Sequence, residues 1–237
     1  MSSHHKNQPE FQAPPFACDC HFHVFGPAER YPYGTDLRYA PPLAPLADYL
    51  ALARRLGIER LLFVQPSAYG RDNACMLEAM REVPGCRGIV DVDEGVPDAE
   101  LAALNSAGAR GVRINVSPVK PREAGFAGRL LPRIERLEAR CAEIGWHLDF
   151  LLPGWLTEEL MGTLNRLRID FTLAHLGMFL ARDGTRQPGF QRLLDLLRHG
   201  QGHCWVKLTG FYSMSVDAGF ADAGPMVQAL MEGAPDR

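Results

Sequence analysis

Seven times along these 237 residues a short apolar run gives way to a stretch whose apolar residues recur at helical spacing. The runs cover 16–25, 59–66, 87–92, 111–116, 147–152, 170–175 and 204–208. The stretches after them read as helices over 46–56, 73–83, 98–107, 128–144, 157–167, 190–199 and 221–231. Gly57 stands where the first helix should stop, as a left-handed terminator. Strands alternating with helices of this length imply βαβ units and a parallel sheet. A doubly wound sheet usually carries a glycine-rich phosphate loop after its first strand, and none is present. A (β/α)8 barrel of the TIM type fits better, with about seven units written here and the eighth strand lacking.

Composition narrows the function classes. The chain is 46% hydrophobic and 22% charged, with a formal net charge of -3, so no bulk positive field invites nucleic acid or an anionic membrane. No apolar run approaches the roughly 18 residues of a membrane span. The first 15 residues are polar and proline-punctuated, lack the apolar core of a signal peptide, and read as a mobile arm ahead of a single domain over 16–237. A cytoplasmic protein is the expectation. Six scattered cysteines form no C-x-x-C pair, which argues against a zinc ribbon or redox motif. Most lie in apolar runs, where a free thiol acts as a small hydrophobe.

The first apolar run holds the chemistry-bearing residues. In Asp19-Cys-His-Phe-His-Val-Phe, strand alternation points His21 and His23 the same way, with Asp19 below them and Cys18, Cys20, Phe22 and Val24 opposite. Two imidazoles at a strand tip can share a metal or one substrate oxygen. The other reading is a pair of hydrogen-bonded surface histidines beside a Gly-Pro turn. A proline- and tyrosine-rich loop, 26–45, follows, of the length that is often functional.

Several stretches together resemble the amidohydrolase-2 (amidohydrolase-related) family. They are Asp19-Cys-His-Phe-His-Val-Phe-Gly-Pro, Tyr31-Pro-Tyr, Arg38-Tyr-Ala-Pro, Val64-Gln-Pro-Ser-Ala-Tyr-Gly-Arg-Asp-Asn, Gly111-Val-Arg-Ile-Asn, Leu173-Ala-His-Leu-Gly and Trp205-Val-Lys-Leu-Thr-Gly. Within that family the likeness is strongest to 2-pyrone-4,6-dicarboxylate lactonase-like hydrolases. It implies a metal-dependent-hydrolase-like (β/α)8 barrel with its site at the C-terminal ends of the strands, where His21, His23 and His175 should meet. It also implies a catalytic aspartate on the eighth strand. The closing Ala-Pro-Asp-Arg resembles the lead-in to that strand, and no such aspartate occurs in this sequence.

The implied reaction is opening of a small carboxylated lactone by water attack on the ester carbonyl. His21, His23 and His175 would stabilise the oxyanion, directly or through one bound zinc; metal-free catalysis is the favoured reading, as the lactonase likeness implies. For His175 the alternative is a core histidine satisfied by backbone. Arg113 is the best candidate to grip a carboxylate in two-pronged fashion, or else forms a salt bridge at the rim. Lys120 and Arg122 are weaker loop candidates. Lys207 either reaches substrate from strand seven or is a buried amine paired with a carboxylate. Asp149 is mid-strand, not well placed as a general base, and could equally be a buried partner. Ser67 and Tyr39 match positions where the lactonases hydrogen-bond substrate. Either the sequence is cut short before that strand or the natural protein lacks the aspartate; as written, the chain should hold substrate better than it turns it over. A zinc-dependent decarboxylase of the same superfamily and a shortened remnant with little turnover are the alternatives. Seven strands cannot close an eight-stranded barrel, so exposed edges predict a homo-oligomer.

Overall fold

The computed structural model describes residues 12–35, 37 and 39–237. Residues 1–11 of the expected N-terminal arm, and Arg38 of the Arg-Tyr-Ala-Pro stretch, lie outside the described residues. The chain divides into two compact units, one comprising residues up to 91 together with 97–109 and the other 92–96 with 110–237.

The first unit contains β1 (Cys18–Phe22), α1 (Leu46–Leu56), β2 (Arg60–Val64), α2 (Ala74–Arg81), β3 (Arg87–Val90) and α3 (Asp98–Ser106). β1 pairs with β2 and β2 with β3, both parallel. Gly57, at φ 75°, ends α1 by donating its N–H to the carbonyls of Ala53 and Arg54, so the expected terminator is the observed one. Phe63, Val64, Ile89 and Val90 are sealed from solvent, and they are the continuous apolar runs that parallel strands need.

In the second unit follow β4 (Ala109–Asn115, its first residue belonging to the first unit), α4 (Phe126–Ile144), β5 (His147–Leu151), α5 (Gly154–Leu164), β6 (Phe171–Leu173), α6 (Pro188–His199), β7 (Cys204–Val206), α7 (Phe211–Met214) and α8 (Gly224–Gly233). β4 to β7 pair in sequence order, all parallel. Leu148, Phe150, Phe171, Phe190 and Leu193 are among its most deeply buried side chains.

Boundaries depart from the periodicity where backbone rules override it. α5 begins at Gly154 rather than 157, because Pro153 holds φ at -62° beside the first turn and pre-sets the helix entry. α4 begins at Phe126 and carries Pro132 inside, where the missing N–H removes one bond of the second turn without ending the helix. β6 stops at Leu173, two residues before the expected end, because His175, Leu176, Gly177 and Met178 all take left-handed φ values of 53–69°. Three of these are not glycine, an arrangement costing roughly 1–2 kcal/mol per residue, and such strain gathers at functional positions.

Candidate functional site

β1 does not run in strict register. Asp19 pairs with Leu61 and Phe22 with Phe63, so three steps along β1 match two along β2, a bulge of one residue. Leu61 and Phe63 share a face of β2, hence Asp19 and Phe22 share a face of β1. The side chains agree. Asp19 Oδ2 accepts from the Tyr49 hydroxyl at 2.5 Å, and the Phe22 ring lies flat on the Tyr49 ring at 3.8 Å, 4° from parallel. The expectation that Asp19 lies beneath the histidines is therefore corrected, since the bulge turns it to the α1 side. Cys18 and Cys20 are exposed rather than packed as small hydrophobes.

His21 and His23 do come together. Their rings meet edge-on, with centroids 5.1 Å apart and planes at 76°. His23 Nδ1 lies 2.7 Å from the Val64 carbonyl oxygen. A carbonyl only accepts, so Nδ1 carries the proton, and in the neutral ring Nε2 holds the lone pair. That nitrogen can take a proton from water or bind a metal; it donates to an oxyanion only when the ring is protonated.

The other candidates of the first unit are less tightly built in. Ser67 opens a short 3-10 turn, Ser67–Tyr69, and its carbonyl accepts from Gly70. Tyr39 is 42% exposed, its ring edge-on to Phe25 at 6.4 Å. The loop after β1 is anchored by paired backbone bonds between Phe25 and Ala44 and by the Gly26 N–H donating to the Tyr69 hydroxyl at 3.1 Å.

A charged row crosses the second unit. Arg113 on β4 is in register with Asp149 on β5, and Asp149 with Thr172 on β6. Asp149 is 0% exposed; Lys207 donates to its Oδ2 at 2.9 Å and Thr172 Oγ1 to its Oδ1 at 3.0 Å. Lys207 thus has the carboxylate partner that sequence offered as one of two readings. Arg113 lies on β4 two residues before the strand ends, and it is buried there rather than exposed at a rim.

His175 is buried just beyond β6, with Nδ1 2.9 Å from Thr209 Oγ1. Its ring lies against Gly210, where a Cβ would come within 2.3 Å of the imidazole, so only glycine fits. Burial, then the Arg113 charge, lowers its pKa from the ordinary 6.5 to about 4, which keeps the ring neutral at physiological pH. Lys120 and Arg122 sit away from this row in charge terms. Lys120 pairs with Glu123 at 2.9 Å and lies over the Phe126 ring, while Arg122 pairs with Glu159. Sequence reasoning missed Tyr49, Thr172 and Thr209 as partners of these groups.

The His175 shift fixes the sign of a stability change. Between pH 6.5 and about 4 the unfolded chain binds a proton at this residue and the folded chain does not. Stability therefore rises with pH across that window, and acidification through it should remove up to about 3 kcal/mol. His147, also lowered by burial, adds a slope of the same sign. Urea melts from pH 7 to pH 4 should show a shallower fall for His175→Gln than for the natural chain. Equal slopes would refute the assignment.

Parallel βα units whose imidazoles and buried cations lie at or near the strands define an α/β protein of the type that places its chemistry at strand ends. The chain belongs to the amidohydrolase family, whose model matches residues 18–237. It is 34% identical over 236 residues to the 4-sulfomuconolactone hydrolase of Hydrogenophaga intermedia, an alignment covering 99% of this chain and 76% of the relative. It is 30% identical over 246 residues to the 2-pyrone-4,6-dicarboxylate hydrolase of Comamonas testosteroni, covering 98% and 77%. The crystal structure of an apo protein from Agrobacterium tumefaciens superposes with a TM-score of 0.81 at 26% identity, covering 97% of this chain and 80% of that one. The fold class is accordingly α/β of the TIM-barrel amidohydrolase type, with seven strands present and no eighth unit among the described residues. No helix among the described residues is long and apolar enough to cross a membrane.

Proposed function

We propose that the chain is a hydrolase that opens a small carboxylated lactone, a 2-pyrone-4,6-dicarboxylate-like or related cyclic ester, in the cytoplasm. The observation that carries this reading is its 30–34% identity, over nearly its whole length, to relatives named as lactone hydrolases. The histidine geometry supports it. Water must lose a proton as its oxygen adds to the ester carbonyl, and the neutral His23 ring holds an Nε2 lone pair while Nδ1–H stays on Val64. In this mechanism the proton passes to Nε2, the new C–O bond gives a tetrahedral oxyanion, and collapse breaks the ring C–O bond. The imidazolium returns its proton to the departing oxygen. His21 and His175 are the further catalytic residues proposed, and Tyr39, Ser67, Arg113, Lys120 and Lys207 the substrate-binding ones.

No cofactor is required by this scheme. The zinc-dependent alternative rests on the same tautomer: an imidazole that donates Nδ1–H to a carbonyl presents Nε2 in the form that metals bind. On that reading His21, His23 and His175 would be the ligands and the ion would supply Lewis acidity and an activated water, although no three His, Cys, Asp or Glu side chains gather as a metal site among the described residues. The test is ring opening of 2-pyrone-4,6-dicarboxylate and of 4-sulfomuconolactone, followed by ultraviolet absorbance and by the acid released, before and after dialysis against a chelator. Turnover that persists without bound metal supports the scheme. Activity that tracks stoichiometric zinc would overturn its metal-free part, and no opening of either lactone would overturn the substrate class.

A further inference from the structure

We propose that Tyr49, acting through Asp19, is a positioning residue that fixes the bulge in β1 and so aims His21 and His23. The inference rests on the hydrolase reading above and adds to it a device on α1. Asp19 Oδ1 accepts the backbone N–H of His21 at 2.9 Å, within the stretch that the bulge takes out of register with β2. Its other oxygen is held by the Tyr49 hydroxyl, and the Tyr49 ring lies on Phe22, the residue between the two histidines. One tyrosine therefore grips the bulge twice, by hydrogen bond on one side and by ring stacking on the other.

The location of the extra residue decides which side chains face which way. Along a strand, a slip of one position exchanges the two faces. Were the bulge to move by one residue within this stretch, His21 would change places with Cys20 or Phe22, the residue directly before His23. Burial and the Asp19 carboxylate both push the Tyr49 phenol up, so it remains a proton donor throughout the working pH range.

Two variants of the full chain test this. Tyr49→Phe keeps the ring on Phe22 and deletes only the hydroxyl; Asp19→Asn keeps an oxygen for the His21 amide and removes the charge. Each is expected to lower kcat for lactone opening by about 10-fold, the lower end of the usual effect of removing a group that orients a catalytic histidine, with KM within about 2-fold. Amide hydrogen exchange at His21 should accelerate in both by a similar factor, with exchange in β2 unchanged. A kcat that stays at the natural value while exchange accelerates would overturn the positioning role, and unchanged exchange at His21 would overturn the grip itself. Full turnover by His21→Ala and His23→Ala would instead defeat the hydrolase reading of the pair. That result is told apart because the exchange readout needs no substrate.

Discussion

Lys207→Ala is expected to destabilise the chain by about 3–5 kcal/mol, the usual cost of breaking a buried ion pair from one side. Asp149 is fully buried, and Thr172 also donates its neutral hydroxyl to it. Removing the ammonium deletes the Lys207 ion pair from a carboxylate that stays buried and away from water. Asp149→Ala should cost a similar amount for the mirror reason, since the buried Lys207 would keep its charge and lose the Asp149 carboxylate. The double replacement Asp149→Leu with Lys207→Met removes both charges and restores volume. It should lie within about 2 kcal/mol of the natural chain, because a well-packed apolar pair often does as well as a buried salt bridge. Urea melts of the natural chain, Asp149→Leu, Lys207→Met and their double variant at pH 7.5 give the coupling directly. Single effects that simply add in the double variant would show that the pair is not a unit.

That pair also marks where the sequence stopped being informative. Alternating apolar runs and helical spacing exposed the βα order because both periods are local, and Gly57 could be placed as a terminator from its identity alone. Asp149 and Lys207 lie 58 residues apart in the chain, on β5 and just beyond β7, and local patterning contains nothing about the register of parallel strands. Both readings of Lys207 are therefore compatible with the sequence alone. The same limit hid Tyr49, which on α1 reads as one more aromatic of an amphipathic helix. Alternation placed Asp19 with the histidines because it has no means of announcing a bulge. The left-handed run at His175 is invisible for a different reason: Leu176 and Met178 carry no preference for positive φ, and the bonds to the run come from distant residues, the Lys207 carbonyl accepting from Leu176 and the Thr157 hydroxyl donating to the Gly177 carbonyl.

His23 gives the largest kinetic prediction, and the two amides that resemble halves of its ring separate its functions. Asn places an N–H where Nδ1 stands, so His23→Asn can still donate to the Val64 carbonyl while losing everything at Nε2. Gln places an amide where Nε2 stands and loses the Val64 bond. If Nε2 takes the proton of the attacking water, His23→Asn should fold like the natural chain and lose about 10²–10⁴ in kcat, the usual contribution of a general base. An amide is no base at neutral pH, so His23→Gln should be equally slow. Were Nε2 instead a donor to the oxyanion, the Gln amide would supply one, and that variant should recover much of the rate that Asn loses. The acidic limb of the kcat/KM profile offers a second reading, because it reports the base of the free enzyme and should vanish from both variants' residual activity. A Gln variant with substantial turnover and an intact acidic limb would exclude His23 as the proton acceptor, and with it the order of steps proposed for the ring opening.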